Sequence, residues 1–245
     1  MIRAVTFDYW NTLMYEQAGE MRNRRIDAWL GILEGVGFKV ERERMDAVFE
    51  ESWQRFVDRW TANEQFRAAQ AAEEIVEALG FHVPAEVRRD LVEAFTTAGA
   101  QVTLHSTDGI EECLTELREA GVRIGIICDV GMTPSVTLRE HLAERGLLKH
   151  FDHWSFSDEV GVYKPDPVIF RHALAGLGGV DPSEAAHVGD LRRTDVAGAL
   201  AMGMTAVRYT GVFDDDSRPE PEGHYVNDDH RRLPQLLKIG AGTDE

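Results

Sequence analysis

The sequence predicts an α/β fold in which a parallel β-sheet lies between two layers of helices, with a helical domain inserted after the first strand. Two observations carry this prediction. Short apolar strands alternate with helical segments from about residue 101 onward, which favours parallel strands joined by right-handed crossovers. Residues 15–100, in contrast, carry helical periodicity without a strand signal.

The first strand is predicted at the opening run Ile2–Phe7, which is rich in Val, Thr and Ile and is bounded by Asp8. Four later apolar segments predict the other strands: 122–127, 151–156, 185–188 and 205–209. Helical segments are predicted between them at 109–120, 134–146, 166–177 and 194–202. Glycines lie near three of the predicted helix ends, where a C-terminal cap favours glycine: Gly121, Gly146 and Gly203.

The block 15–100 predicts about four helices, the first of which has Ile26, Leu30 and Leu33 at helical spacing. It is interpreted either as a helical extension of the core or as a separate lid. The lid is favoured because the helices form one uninterrupted block. The predicted domains are therefore a core at 1–14 and 101–235, a cap at 15–100 and a flexible tail at 236–245.

Charge and composition restrict the classes of partner. The formal net charge of -17 argues against binding to nucleic acid or to an anionic membrane surface. No apolar run approaches the length of a membrane span, and the first residues lack a signal-peptide pattern. Two cysteines, Cys113 and Cys128, indicate a reducing compartment. We therefore expect a cytoplasmic protein that acts on small molecules; the sequence leaves its oligomeric state open.

Polar residues follow the strands at the points where they end. In a parallel sheet these ends share one edge, where α/β proteins bind their ligands. Each residue has an ordinary alternative, such as a turn cap for an Asp or a loop position for a Lys. Only four of the 26 basic residues are lysines, so a lysine within a motif is less expected by chance. The residues at these ends are Asp8, Cys128-Asp129, Lys164-Pro165, Gly189-Asp190 and Asp195.

Three motifs in this order support a family resemblance. They are Phe7-Asp8-x-x-x-Thr12-Leu13, Lys164-Pro165-Asp166-Pro167 followed by Phe170, and Gly189-Asp190-x-x-x-x-Asp195-x-x-Gly198-Ala199. The set resembles the haloacid dehalogenase-like hydrolase superfamily from residue 2 to about 237, with the helical insert where the subgroup with the first (C1) cap type carries it. The resemblance implies a Rossmann-like three-layer α/β/α core. It also implies a Mg²⁺-dependent hydrolase of a small phosphorylated metabolite.

The resemblance also implies residue roles. Asp8 is the nucleophile that becomes an aspartyl phosphate. Lys164 holds the phosphate and Asp8 together, and Asp195 holds the lysine or the water shell of the metal. Asp8, Asp190 and the backbone carbonyl of Trp10 bind Mg²⁺. The implied substrate-binding positions are Trp10, Thr12, Cys128 and Asp129.

Three positions depart from the family pattern. Family phosphatases carry an Asp at the position of Trp10, which protonates the leaving oxygen and then activates water. Indole does neither, and such catalysis is worth about 10² to 10⁴ in rate. Cys128 replaces a Ser or Thr whose hydroxyl binds phosphate, and a thiol is a weaker donor. It is also interpreted as a buried small residue. Asp129 replaces an Asn and adds a negative charge.

Two other functions therefore remain open beside the phosphatase. The dehalogenase branch of the family has an aromatic residue at the position of Trp10 and works without metal, but it typically lacks the Gly-Asp of the last motif. The other open function is that of a binding or regulatory protein without turnover. The arginines Arg22, Arg24 and Arg25 weakly resemble the dehalogenase cap and are more simply a solvated helix face. His187, within an apolar strand, is interpreted as a core residue. Candidate specificity residues are Tyr15, Glu16, Arg22 and Thr61-Ala62-Asn63.

Overall fold

The structure is a computed structural model that describes residues 1–240. Within this range six parallel strands form one sheet, which confirms the predicted α/β class. In chain order the strands are β1 (Ala4–Phe7), β2 (Met14–Tyr15), β3 (His105–Ser106), β4 (Arg123–Cys128), β5 (His153–Phe156), β6 (Ala185–Gly189), β7 (Thr205–Tyr209) and β8 (Tyr225–Asn227). The sheet order is β5-β4-β1-β6-β7-β8, and β2 pairs with β3 in a separate antiparallel ladder.

The strand β1 lies at the topological switch point of the sheet. The chain adds β4 and β5 on one side of β1 and then crosses to add β6, β7 and β8 on the other side. Every residue of β1 is buried, as the apolar sequence predicts for a strand covered on both faces. Ligands of open α/β sheets bind at the carboxyl ends of strands beside such a point, so Asp8, directly after β1, lies at the expected place.

Helices make up most of the other regular structure. In chain order they are α1 (Glu20–Gly35), α2 (Arg42–Thr61), α3 (Ala68–Ala78), α4 (Ala85–Thr97), α5 (Ile110–Glu119), α6 (Ser135–Glu144), α7 (Ser157–Val160), α8 (Pro167–Gly176), α9 (Ala197–Ala201) and α10 (Leu233–Leu236). Helix α8 packs against β4, β5 and α9, and α5 packs against β4 and α10. A π-helical turn, Arg192–Val196, precedes α9 where the sequence predicts the start of a longer helix. None of the helices in residues 1–240 is long and apolar enough to cross a membrane.

Three short strands escape the sequence prediction. β2 and β3 have two residues each, and β8 has three. A strand this short carries too few residues to display a period of two, so nothing local distinguishes it from a loop. Their pairing depends on partners far away in the chain, such as Met14 with Ser106.

The chain divides into two compact units. The first comprises Met1–Tyr15, His105–Asp129 and the chain from Leu142 onward, and it contains the parallel sheet. The second comprises Glu16–Leu104, with α1 to α4, together with Val130–His141. The sequence predicts 130–141 and 101–104 in the core and residue 15 in the cap, so the observed borders differ from the predicted ones at these segments.

Arg25 gives the physical reason for the altered border. Its guanidinium group lies over the Phe95 ring, 4.6 Å from the centroid, and donates to the Phe95 carbonyl oxygen. It also donates to the carbonyl oxygen of Met132 at 2.7 Å and to the hydroxyl of Thr133 at 3.1 Å, which ties the segment 130–141 to α1. Arg25 is buried, so the interpretation of its side chain as part of a solvated face is wrong. Arg24 does pair with Glu20 on an exposed face.

The expected flexible tail also needs a correction. Leu236 ends α10, and Leu237 and Ile239 are buried. Leu237 and Ile239 therefore belong to the packed core, and burial of their apolar surface favours the folded position of this segment. Residues 241–245 of the expected tail lie outside the described residues.

The burial of His230 leads us to expect that the stability of the fold depends on pH. The ring is fully buried, stacks on Tyr209 with 4.1 Å between centroids, and donates from Nε2 to the Thr12 carbonyl oxygen at 2.8 Å. Burial lowers the pKa of His230 from 6.5 to about 4. An unfolded chain binds this proton more readily, so this contribution to stability is present above pH 6.5 and is lost as the pH falls towards 4. The loss is about 3 kcal/mol.

Urea unfolding between pH 4.5 and 8 measures this effect against the variant His230→Gln, which retains an amide donor but does not titrate. We expect the free energy of unfolding to fall less steeply on acidification in the variant than in the wild type. His82→Gln, at an exposed histidine of the second unit, is the matched control and should keep the wild-type slope. Equal slopes for His230→Gln and wild type would contradict the assignment of this proton to His230.

Candidate active site

A buried lysine joins the predicted site residues. The ammonium group of Lys164 donates to Asp8 Oδ1 at 2.5 Å, to Asp195 Oδ1 at 2.6 Å and to the Ile127 carbonyl oxygen at 3.0 Å. Only 2% of the lysine is exposed. These three oxygens use all three protons of an ammonium group, so the position of the lysine is fixed.

Local backbone contacts bring Asp8 and Lys164 to the same place. The amide of Asp8 donates to the Val188 carbonyl oxygen at 2.8 Å, which extends the pairing of β1 with β6 by one residue. The amide of Lys164 donates to Asp129 Oδ1 at 2.8 Å, which connects the loop before α8 to the end of β4. Asp166 then caps α8 by accepting from the amide of Val168. The motif Lys-Pro-Asp-Pro thus combines the lysine with the start of a helix.

Three carboxylates face one point beside this lysine. One oxygen each from Asp8, Asp190 and Asp195 lies within 4.8 Å of the others, and all three residues are buried. Asn11 donates from its side-chain amide to Asp190 Oδ2 at 3.2 Å. Mg²⁺ prefers hard oxygen ligands and is usually held by one or two carboxylates, so the donor set fits that ion.

The three buried carboxylates carry more negative charge than Lys164 can balance, and their pKa values are shifted. Burial raises the pKa of Asp8 to about 7, although Lys164 opposes the shift. Burial and the charge of Asp8 raise the pKa of Asp190 well above its usual range. Burial acts in the same direction on Asp195, but Lys164 and His187 outweigh it and hold its pKa below the usual range. One lysine cannot balance three buried carboxylates, and a divalent cation would supply the missing charge.

The Asp195 carboxylate accepts several hydrogen bonds. Its Oδ1 accepts from His187 Nε2 at 3.0 Å in addition to Lys164, and its Oδ2 accepts from the amide of Leu191 at 3.1 Å. A Cβ added at Gly189 would lie 2.2 Å from the Asp195 carboxyl carbon, so the carboxylate needs a glycine on β6 beneath it. The Gly-Asp pair of the last motif therefore has a steric reason as well as a chemical one.

Trp10 retains the backbone group that the resemblance assigns to the metal. The loop after β1 is closed by bonds from the Met14 amide to the Tyr9 carbonyl oxygen and from the Asn11 amide to the Met14 carbonyl oxygen. Among the described residues, none donates a hydrogen bond to the Trp10 carbonyl oxygen. The half-buried indole packs edge-on against Tyr9, with 5.1 Å between ring centroids.

The structure gives Cys128, Asp129 and Thr12 contacts of their own. The thiol of Cys128 lies 3.6 Å from the Asp129 carbonyl oxygen, and burial raises its pKa well above the usual value, which disfavours a thiolate nucleophile. The Asp129 carboxylate accepts from the amide of Lys164. The Thr12 side chain is fully buried, and its carbonyl oxygen accepts from the Thr107 hydroxyl at 2.8 Å. Their predicted contacts with substrate stay predictions.

The predicted specificity residues lie in both units. Tyr15, in the first unit, packs near His105 with 5.4 Å between ring centroids. In the second unit, the Glu16 carboxylate accepts from the Met21 amide at 2.8 Å, and Arg22 donates to the Asp46 carbonyl oxygen at 2.8 Å. These contacts account for the side chains structurally. The role of these residues and of the loop 61–63 in substrate selection stays a prediction.

Three contacts of the site escape sequence reasoning. His187 is buried in β6, as expected of a core residue, but it also bonds Asp195. Asn11 bonds Asp190, and the Ile127 carbonyl oxygen bonds Lys164. A polar side chain within an apolar strand was the available signal for His187. A backbone carbonyl leaves no signal in a sequence, because every residue has one.

Comparison with known proteins agrees with the motifs. The model of the family described as haloacid dehalogenase-like hydrolase matches residues 2–203. A phosphoserine phosphatase from Thermus thermophilus is 37% identical over 138 residues, which cover 56% of this chain and 53% of the relative. A glyceraldehyde 3-phosphate phosphatase from Methanopyrus kandleri is 34% identical over 126 residues, covering 51% and 52%. The chain thus spans about half the length of the curated relatives it matches.

Solved structures are similar over nearly the whole chain. A HAD phosphatase from Thermococcus onnurineus aligns with a TM-score of 0.64 and 24% identity, covering 97% of this chain and 99% of that chain. A 2-haloacid dehalogenase from Pseudomonas syringae aligns with a TM-score of 0.70 and 22% identity over the same shares. At these identities the likeness extends to the fold alone.

Proposed function

The chain belongs to the haloacid dehalogenase-like hydrolase family, and from this premise we propose that it is a Mg²⁺-dependent phosphatase of a small phosphorylated metabolite. The observation that carries the proposal is the contact of Lys164 with both Asp8 and Asp195 beside a third buried carboxylate, Asp190. A nucleophilic carboxylate, a fixed cation and a set of oxygen ligands at one edge of the sheet are the parts that transfer of a phosphoryl group needs.

In the proposed reaction a carboxylate oxygen of Asp8 attacks phosphorus. The new oxygen–phosphorus bond forms as the bond to the leaving oxygen breaks, and the leaving group departs with the bonding electrons. Lys164 stabilises the developing charge on the phosphoryl oxygens through its positive charge. Water then attacks the aspartyl phosphate, which releases inorganic phosphate and restores the Asp8 carboxylate. Asp195 keeps Lys164 in its place through both steps.

The residues present fit a magnesium ion. Asp8, Asp190 and the carbonyl oxygen of Trp10 would hold it, and Asn11 orients Asp190. When bound, the ion supplies positive charge that offsets the carboxylates and the phosphate. The raised pKa values of Asp8 and Asp190 support this assignment, because they indicate two carboxylates that lack sufficient compensating charge.

Trp10 sets the proposed phosphatase apart from the family pattern, which has an Asp at this position. The indole can neither protonate a leaving oxygen nor activate water, so the leaving group must depart without help from a side chain at this position. Substrates that release a stable anion, such as acyl or aryl phosphates, therefore fit the site better than alkyl phosphates. The second unit is proposed as the cap that excludes water and selects the substrate.

Two alternatives follow from the same residue. A binding or regulatory protein without turnover is favoured by Trp10 together with Cys128 and Asp129, and it predicts metal and phosphate binding without hydrolysis. A metal-free dehalogenase is favoured by the aromatic residue alone. The intact Asp190 and its place among three buried carboxylates support the metal-dependent functions over the dehalogenase.

Thermal unfolding with and without magnesium tests the metal site. In EDTA at pH 7.5, Asp190→Asn is expected to melt at a higher temperature than the wild type. The reason is that the raised pKa of Asp190 makes its ionised form destabilising; the penalty grows as the pH rises from the unfolded value of 3.8 towards the folded one. With millimolar Mg²⁺ the order should reverse. A ligand at about 100 times its Kd adds roughly 2.7 kcal/mol to the wild type.

Glu119→Gln is the matched control, because it neutralises an exposed carboxylate on α5. It should respond to Mg²⁺ like the wild type. A wild type that gains no stability from millimolar Mg²⁺, with or without inorganic phosphate, would count against both metal-dependent functions and in favour of the dehalogenase.

A further inference from the structure

A second row of buried polar side chains lies behind Lys164. Thr6 on β1 and His187 on β6 are direct neighbours in the parallel register, and both are almost completely buried. The Thr6 hydroxyl oxygen lies 2.9 Å from His187 Nδ1, and His187 Nε2 lies 3.0 Å from Asp195 Oδ1. A continuous series of hydrogen bonds therefore runs from Thr6 through His187 and Asp195 to Lys164.

We propose that Thr6 and His187 are a positioning pair that holds Asp195 against Lys164: His187 donates from Nε2 to Asp195, and the Thr6 hydroxyl donates to Nδ1, which keeps that nitrogen unprotonated and the ring neutral. The inference deepens the proposed phosphatase function and rests on it for its catalytic consequence. The arrangement of protons in the pair is tested without reference to turnover.

The assignment of donors follows from the acceptor at the end of the series. Asp195 also receives bonds from Lys164, Leu191 and Thr194, and a carboxylate with so many donors is an acceptor towards His187. His187 Nε2 must therefore carry a proton. A neutral imidazole has its second nitrogen unprotonated, so Nδ1 accepts, and the Thr6 hydroxyl is in position to donate.

One competing arrangement exists. The Thr6 hydroxyl could donate to the Ala186 carbonyl oxygen, which lies 3.3 Å away, and a doubly protonated His187 would then donate from Nδ1 to Thr6. The contact of Thr6 with Nδ1 is shorter by 0.4 Å (3.3 − 2.9). A charged ring would also place a second buried cation beside Lys164. Burial lowers the pKa of His187 and outweighs the opposing effects of Asp195 and of the Thr6 backbone, in agreement with the neutral ring.

The pair matters because the other neutral donors to the Asp195 carboxylate bond only Oδ2. Gly189 leaves room for the carboxylate above β6, and the amide of Leu191 holds Oδ2. His187 is the neutral donor to Oδ1, the oxygen that also bonds Lys164. Without a donor at Nε2, Oδ1 loses this orientation and Lys164 loses a fixed partner opposite Asp8. Outer hydrogen-bond partners of metal-ligating groups are worth about 10- to 100-fold in metal affinity or activity, and we expect the lower end of that range for the partner of Asp195.

Thr6→Val is the decisive variant, because valine has nearly the shape of threonine and lacks the hydroxyl. Thr6→Ser restores a hydroxyl. Thr115→Val removes the hydroxyl of an exposed threonine on α5, which donates to the Glu111 carbonyl oxygen of the same helix. Nitrogen-15 NMR of histidine-labelled protein reports which ring nitrogen of His187 is protonated. We expect the neutral Nε2–H form in the wild type and Thr6→Ser, and a mixture of ring states in Thr6→Val.

Turnover of 4-nitrophenyl phosphate with Mg²⁺ gives the second measurement. We expect kcat to fall about tenfold in Thr6→Val, to recover in Thr6→Ser, and to stay at the wild-type level in Thr115→Val, with Mg²⁺ affinity unchanged throughout. A protonated Nδ1 in the wild type, or a Thr6→Val protein with wild-type ring state and kcat, would overturn the proposal. If the wild type hydrolyses nothing, the phosphatase function fails, while the NMR spectra still decide whether the pair exists.

Discussion

Asp8→Asn is expected to abolish hydrolysis of 4-nitrophenyl phosphate and the formation of a phosphoenzyme. The amide has nearly the shape of the carboxylate but no nucleophilic oxygen, so the covalent route is closed. We expect kcat to fall by a factor on the order of 10⁴ or to the uncatalysed background, because loss of the nucleophile removes a group that acts together with the others. Incubation with radiolabelled acetyl phosphate and acid quenching should label the wild type and leave Asp8→Asn unlabelled.

The folded state should tolerate this change. Burial raises the pKa of Asp8 to about 7, so the charged carboxylate destabilises the metal-free protein at neutral pH, and a neutral amide relieves that penalty. Lys164 keeps its bonds to Asp195 and to the Ile127 carbonyl oxygen. We therefore expect Asp8→Asn to melt no lower than the wild type in EDTA. Glu119→Gln again serves as the control for turnover. An Asp8→Asn protein that retains wild-type hydrolysis would exclude Asp8 as the nucleophile.

Trp10→Asp is expected to raise turnover on alkyl phosphates by roughly 10- to 100-fold. The new carboxylate restores a group that can protonate the leaving oxygen and activate water, and such catalysis is worth about 10² to 10⁴. The gain is expected to be partial because removal of an indole, which packs against Tyr9, leaves a void. The wild type should cleave aryl and acyl phosphates much faster than alkyl phosphates, and its phosphoenzyme should persist because no carboxylate activates the second water.

Steady-state rates across a series of phosphate esters measure this effect as the dependence of kcat/KM on the pKa of the leaving group. The dependence should be steep in the wild type and shallow in Trp10→Asp. Trp10→Asn, which has the size of aspartate and cannot transfer a proton, is the matched control and should stay steep. A Trp10→Asp protein that folds, binds Mg²⁺ and hydrolyses nothing would indicate that Cys128 and Asp129 limit the reaction as well, and it would favour the binding or regulatory function.

The sequence alone located the acidic and basic groups of the site. Asp8, Lys164 and Asp190 are predicted because they stand at or after strand ends, which meet at one edge of a parallel sheet. Asp195 is predicted from its spacing after Asp190, and all four match the order of the family motifs. The structure brings all four together within hydrogen-bond or ligand distance. The long strands are also predictable from the sequence, for a different reason. A strand that is buried on both faces is a continuous run of apolar residues, which the local sequence shows directly.

Tertiary structure decided what each of these groups is bonded to. The Asp129 carboxylate accepts from the backbone amide of Lys164, 35 residues away. His187, which the sequence indicates only as a core residue, donates to Asp195. Arg25 is buried against Phe95 and Met132, although its neighbours Arg22 and Arg24 pair on the surface. A local pattern reports the period and polarity of neighbouring residues. The partner of a hydrogen bond between distant segments is fixed only when packing brings those segments together, and burial then makes that partner obligatory.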